Sequence, residues 1–261
     1  ALRYTAALLL TVFGTGLVCD VLALTIRSRR VRRVLGSIRV ALPDLMSLFL
    51  PQRTADVLPR APLGPVPQQG TEEFELLFQT SAHGIGLVGH CELCFDGRTL
   101  TYGAYDPVHQ RLLRTAGAGI VFSAPREPYL RWCISTHHRR VISYSLRLPP
   151  AQAAQLRAEL ERFRQTLSPW QPEALPEDCF AGRLRRLGGV RFWRVQRGPY
   201  ATYFIPTINC VSLTNELLEK TDIGRTVMLG LKTPGAYLDL LEREYLAGNP
   251  AVTARRVYDR I

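Results

Sequence analysis

The sequence predicts an α+β domain carried behind a membrane-spanning helix, and three observations predict it. Residues 5–26 are almost wholly apolar. From residue 74 the chain breaks into short apolar runs separated by Gly, Pro and Asp turns. Between and after those runs stand segments whose apolar residues recur at helical spacing. Strands and helices mixed without strict alternation argue for an antiparallel sheet with helices at its ends.

Residues 5–26, as a helix, reach about 33 Å at about 1.5 Å per residue, which crosses a bilayer. Residues 1–27 are therefore assigned as a transmembrane helix. Asp20 is its one ionised residue, near enough to the end to reach the interface or an arginine. The apolar run is long and lacks a small-residue cleavage site before the basic cluster, which argues against a signal peptide. Residues 28–50 read as amphipathic helices in the headgroup plane. Val31, Val34, Leu35, Ile38 and Leu42 make an apolar stripe, arginines fill the rest, and Pro43 starts a second short apolar segment. The Pro-rich residues 51–72 form a stiff linker, and 73–261 is the remaining domain. Arginines just after the span argue, by the positive-inside rule, for a cytoplasmic domain.

Within the domain, strands are expected at 74–78, 86–95, 99–105, 119–122, 130–135, 141–148, 190–195 and 200–205. Asp96-Gly97 joins two of them as a hairpin turn. Helices are expected at 151–167, where Leu156, Leu160, Phe163 and Leu167 share a stripe, at 211–220, and at 237–246 behind Pro234.

The net charge is +11, and among 33 basic residues only Lys220 and Lys232 are lysine. Arginine grips phosphate through a two-pronged fork, so anionic lipid headgroups suit it. The arginines are spread along the chain without a zinc-finger, RNA-recognition or basic-zipper pattern, which disfavours nucleic acid as a partner. Six cysteines are too few for a disulfide scaffold of this size. Cys91 and Cys94 would point to opposite faces of a strand, poor for chelation or redox pairing with Cys133 or His137-His138. No metal or cofactor is expected. His137-His138-Arg139-Arg140 reads as an exposed turn, and His83 and His109 carry no supporting pattern.

Cys210 closes a turn at a predicted helix N-terminus, where the dipole and free N–H groups favour a thiolate and can cradle an oxyanion. His90, on a strand-like run, supplies a base. A third group should orient the imidazole through its other nitrogen. Tyr102 lies on the next strand and is the first choice; Glu92 shares the His90 face and is the alternative. Asn209 and Tyr203 either shape an oxyanion pocket or serve as turn and core residues.

Gly89-His90, followed by Tyr102-Gly103-Ala104-Tyr105-Asp106, resembles the paired strand signature of the Lnb family. Leu146-Arg147-Leu148-Pro149-Pro150-Ala151-Gln152 is similar to that family's lead into a helix, and Tyr203 with Asn209-Cys210 to its Cys segment. The order, histidine strand before cysteine helix, is that of circularly permuted papain-like proteins, including lecithin:retinol acyltransferase and NlpC-type proteins. The resemblance runs from about residue 74 to 241. It implies a permuted papain-like fold and an intramolecular lipoprotein transacylase. Such an enzyme moves the sn-2 acyl chain of a diacylglyceryl-cysteine to its α-amine, with Asp106 among the substrate-binding residues. It also implies a diacylated bacterial lipoprotein as substrate, and a single-pass inner-membrane protein facing the periplasm. Two other functions fit the same residues: a cysteine amidase or peptidase acting on cell-wall peptide, and a non-catalytic membrane adaptor.

Overall fold

A computed structural model describes residues 73–80, 89–111, 116–171, 176–205, 208–219, 221 and 233–259. The expected transmembrane helix, interfacial helices and linker lie outside the described residues. Among those described, no helix is long and apolar enough to cross a membrane.

In chain order the elements begin with strands β1 (Glu73–Thr80), β2 (His90–Phe95), β3 (Arg98–Gly103), β4 (Ala116–Ala118) and β5 (Ile120–Pro125). Helix α1 (Arg126–His137), β6 (Arg140–Arg147), α2 (Pro150–Arg164), β7 (Leu167–Pro169), α3 (Phe180–Arg185) and β8 (Arg191–Val195) follow. The chain closes with β9 (Thr202–Phe204), α4 (Cys210–Leu218), α5 (Pro234–Leu246) and β10 (Val252–Tyr258). Eight strands make one antiparallel sheet in the order β10-β6-β1-β2-β3-β5-β8-β7, and β4 pairs with β9 apart from it.

The α+β class and the antiparallel sheet stand as expected. The helices do not lie at the sheet's ends but cover both of its faces. One core gathers Phe74, Leu76, Phe78, Cys91 and Leu93 under α2, α4 and α5. The other gathers Leu77, Cys94, Ile120 and Phe122 under α1 and α3. Cover on both faces explains why residues 74–80, 91–95 and 141–146 are buried without a break, where a sheet wet on one side would alternate.

Residues 130–135, expected as a strand, belong instead to α1. Its buried side chains Arg126, Tyr129, Leu130, Cys133 and Ile134 recur at helical spacing, so the apolar run is the inner stripe of a helix. Helices α2, α4 and α5 fall where periodicity places them, although α2 ends at Arg164 and Leu167 joins β7. Helix α3 and strands β4, β7 and β10 were not expected. Asp96 and Gly97 both take positive φ, 48° and 71°, the backbone that a two-residue hairpin requires.

Candidate active site

The cysteine helix is capped as its sequence demands. Asn209 stands extended ahead of α4, and its Oδ1 accepts the N–H groups of Val211 at 2.9 Å and Ser212 at 3.1 Å. Ser212 Oγ in turn accepts the Asn209 N–H at 2.9 Å, closing a capping box. The Asn209 amide donates to the Ile205 carbonyl at 2.7 Å. These bonds make Asn209 a cap that aims Cys210, not a group turned toward substrate.

Cys210 is only 4 % exposed. Its sulfur accepts the Cys91 backbone N–H at 3.4 Å and is hydrogen-bonded by Tyr203. Strands β2 and β3 pair only as far as Leu93 and Leu100. Beyond that pair they part, and the sulfur takes an N–H that continued pairing with β3 would have used. Burial pushes the thiol up to about 11, against the lowering effect of the N–H groups of Cys91 and Val211. The helix N-terminus was expected to favour a thiolate; here desolvation outweighs it.

His90 opens β2 and turns to the opposite face of the sheet, with Glu92. Its Nε2 lies 3.1 Å from the Tyr105 hydroxyl and 3.8 Å from Glu92 Oε1. Glu92 is buried and accepts from Thr101 at 2.9 Å, Tyr129 at 2.6 Å and Gln79 at 2.8 Å. Burial, and then the charge of Arg139, bring His90 down to about 3, while burial lifts Glu92 to about 7 against those three hydrogen bonds. His90 and Cys210 are not hydrogen-bonded to each other. A cavity of about 210 Å³ lined by His90, Glu92, Tyr105, Arg139 and Tyr203 ends at the tyrosine that touches the sulfur.

Tyr102 does not orient His90. Its hydroxyl donates to the Tyr200 carbonyl at 2.9 Å, and its ring packs edge-on against Tyr200 and Tyr203. Strand alternation turns it to the α4 side, away from the imidazole. Tyr105 makes the contact instead: two residues past the end of β3 at Gly103, it packs against the α1-side core. A Cβ on Gly103 would stand 2.8–3.0 Å from the Tyr105 ring, so glycine is what lets that ring lie against the strand. Phe180 holds its other side, stacked at 5.1 Å. Sequence reasoning placed Tyr105 in the motif but gave it no role; the Gly two residues before an aromatic was the available signal.

Asp106 is likewise structural. It caps the 3-10 turn Pro107–His109 through Val108 N, and its carboxylate binds His109 at 2.7 Å and Arg194 at 2.9 Å. Asp106 is buried, and both of its carboxylate oxygens are engaged within the protein. His137 is half-buried against Trp132, at 4.2 Å between ring centres, and Phe180; His138, by contrast, is exposed at the end of α1 with φ 51°. Cys91 and Cys94 are separate buried thiols on opposite faces. Comparison with family models, curated proteins and solved structures finds no match.

The two shifted groups give opposed pH effects. Unfolded His90 protonates near 6.5 while the folded residue waits until about 3, so it withdraws stability as pH falls through that window. Folded Glu92 protonates near 7 but the unfolded residue only near 4.5, so it withdraws stability as pH rises from 4.5 to 7. Between pH 4.5 and 6.5 the two oppose each other, so His90→Gln should flatten the acid limb between pH 4.5 and 3, and Glu92→Gln should leave stability rising with pH from 4.5 to 6.5. Denaturant midpoints at stepped pH test both, and an unchanged acid limb in His90→Gln contradicts the assignment.

Proposed function

We propose that this chain is a membrane-anchored thiol acyltransferase. It moves the sn-2 acyl chain of a lipoprotein's diacylglyceryl-cysteine to its α-amine through an acyl-Cys210 intermediate. The observation that carries the reading is the sulfur of Cys210 at a capped helix N-terminus, bonded to the main chain next to His90. The lipid substrate, the inner-membrane anchor and a periplasmic domain are drawn from the family resemblance and from residues 5–26.

In the Nε2–H tautomer His90 donates to Tyr105 and faces Glu92, and the Nδ1 lone pair is then the base. The resting pair is a neutral thiol and a neutral imidazole, so the thiolate forms only as substrate is attacked. The imidazole and the sulfur lie on opposite faces of β2, and Tyr203 hydrogen-bonds the sulfur and lines the His90 cavity, so the thiol proton passes through that hydroxyl to Nδ1 while Sγ attacks the ester carbonyl. The C–O bond breaks, and the glyceryl oxygen leaves with the proton from His90. The α-amine then attacks the thioester, its surplus proton returns through His90 to sulfur, and an amide and free thiol remain. The N–H of Cys91, released as sulfur moves onto the acyl carbon, and that of Cys210 are donors for the oxyanion. Burial of the sulfur keeps water from the thioester, which favours transfer to an amine over hydrolysis and so disfavours the peptidase reading.

Mass spectrometry of lipoprotein N-termini from cells with and without the gene tests this. The lyso form, N-acylated and missing its sn-2 chain, should depend on the gene. Unchanged N-termini together with altered cell-wall peptides would instead establish the amidase. Tyr105→Phe should slow transfer by roughly 10- to 100-fold and displace the pH profile, less than the roughly 10²–10⁴ attached to losing an acid–base group. Tyr102→Phe should cost stability, about 1 kcal/mol for its hydrogen bond, and little rate. Steady-state rates across pH for the two variants decide it, and a slower Tyr102→Phe than Tyr105→Phe reverses the assignment.

A further inference from the structure

Helix α2 buries only half of its apolar stripe fully, the rest packing at the margin of the core. Ala153 and Leu156 are buried, but Leu160 and Phe163 remain part-exposed over the sheet. Below them Leu100 and Trp193 are also only partly covered, and the space between is a groove of about 480 Å³, within the roughly 300–1,000 Å³ of small-molecule sites. Four arginines rim it, Arg98, Arg157, Arg164 and Arg191, against two carboxylates, Asp96 and Glu161.

The rim is divided in its duties. Arg98 is tied to Ser123 Oγ at 2.9 Å and to the Gly189 carbonyl at 2.8 Å. Arg157 lies over the Phe95 ring at 4.8 Å and meets both oxygens of the exposed Asp96 at 3.3 Å. Arg191 stands close enough to Arg98 to push its pKa down, after burial does so, and a bound anion would relieve that repulsion. Arg164, Arg191 and Trp193 also border a second groove of about 460 Å³ with Trp170, so the cationic rim continues along the sheet. An apolar floor under a cationic, aromatic rim is complementary to a chain bearing a negative head.

We propose that this groove binds one acyl chain of an anionic phospholipid. The chain lies between α2 and β3–β5–β8, and its phosphate meets Arg157 and Arg191. The inner end of the groove, at Leu93 and Leu100, is the pair beyond which β2 and β3 part. The site stands on its own residues and does not depend on the chemistry at Cys210.

A lysophosphatidylglycerol with a photoreactive diazirine near its tail end, added to the full chain in nonionic detergent, tests it. Cross-linked peptides should map to α2 and β8. The uncharged monoacylglycerol of the same tail should label about thirtyfold less, from about 1 kcal/mol at each of the two engaged arginines. Arg157→Gln with Arg191→Gln should reduce labelling by the phosphoglycerol lipid to that of the monoacylglycerol, and Leu160→Glu should abolish both. Equal labelling by the two lipids, labels scattered away from α2 and β8, or indifference to the arginine changes would each overturn the site.

Discussion

Cys210→Ser is expected to lower acyl transfer by roughly three orders of magnitude or more while leaving the fold unchanged. The sulfur occupies a position that a hydroxyl can fill, so the Cys91 N–H still finds an acceptor. What is lost is acidity and nucleophilicity. Even pushed up to about 11, the thiol gives its proton to a neutral imidazole far more readily than an alcohol does. His90→Gln should fall as far, and the double variant no further, because base and nucleophile act as one unit. A single-turnover assay with radiolabelled diacyl lipopeptide gives the rates, and thermal midpoints check folding. Retention of a tenth of wild-type activity in Cys210→Ser removes the nucleophile assignment.

The largest stability loss is expected away from the site, at Glu75 and Arg126. Both are buried, and the guanidinium bonds the carboxylate with two nitrogens, one at 2.9 Å, while reaching Tyr258 at 3.2 Å. Ser143 on β6 adds a fourth element, donating to Glu75 at 2.9 Å. This cluster joins β1, α1, β6 and β10. Arg126→Met leaves a buried carboxylate without its charge partner, at a cost of about 3–5 kcal/mol. In a domain of this size that lowers the melting midpoint by about 10 °C or more. Glu75→Leu combined with Arg126→Met should recover much of the loss, since removing both charges also removes their desolvation. Thermal unfolding of the three variants reads it, and a double variant less stable than either single contradicts the account.

The parts legible in the sequence are those with a local cause. Strands β1, β2, β3, β6 and β8 follow from short apolar runs, the Asp96-Gly97 turn from its dipeptide, and α2, α4 and α5 from helical stripes. Helix α1 escaped because Pro128 stands in its first turn and the apolar run after it is too short to separate helix from strand. At the site, the positions of His90 and Cys210 were readable, as was the placement of Asn209 at a helix start. Three things were not. The Tyr105 contact lies beyond the end of β3 and depends on the close approach of its ring to Gly103, which leaves no periodic trace. The engagement of Asp106 by Arg194 depends on a strand 88 residues away. The raised thiol pKa is a property of how much packing surrounds the sulfur, and a helix terminus seen alone points the other way.

The parting of β2 from β3 makes the centre a matter of phase. Along β2, one residue sends its side chain to the α1 face, and the amide of the next residue serves the sulfur from the α4 side. Neither role is portable by itself. Sliding β2 one residue against β1 would exchange the faces of His90 and Cys91, carrying the imidazole into the aliphatic core and a thiol into the polar pocket of Glu92. The five aligned pairs from Glu75–Cys94 to Gln79–His90 therefore act as a ratchet for chemistry as much as for stability. Variation that preserves chain length within His90–Phe95 can alter the surroundings freely, whereas a single insertion between His90 and Cys91 would desynchronise base from nucleophile without replacing either residue.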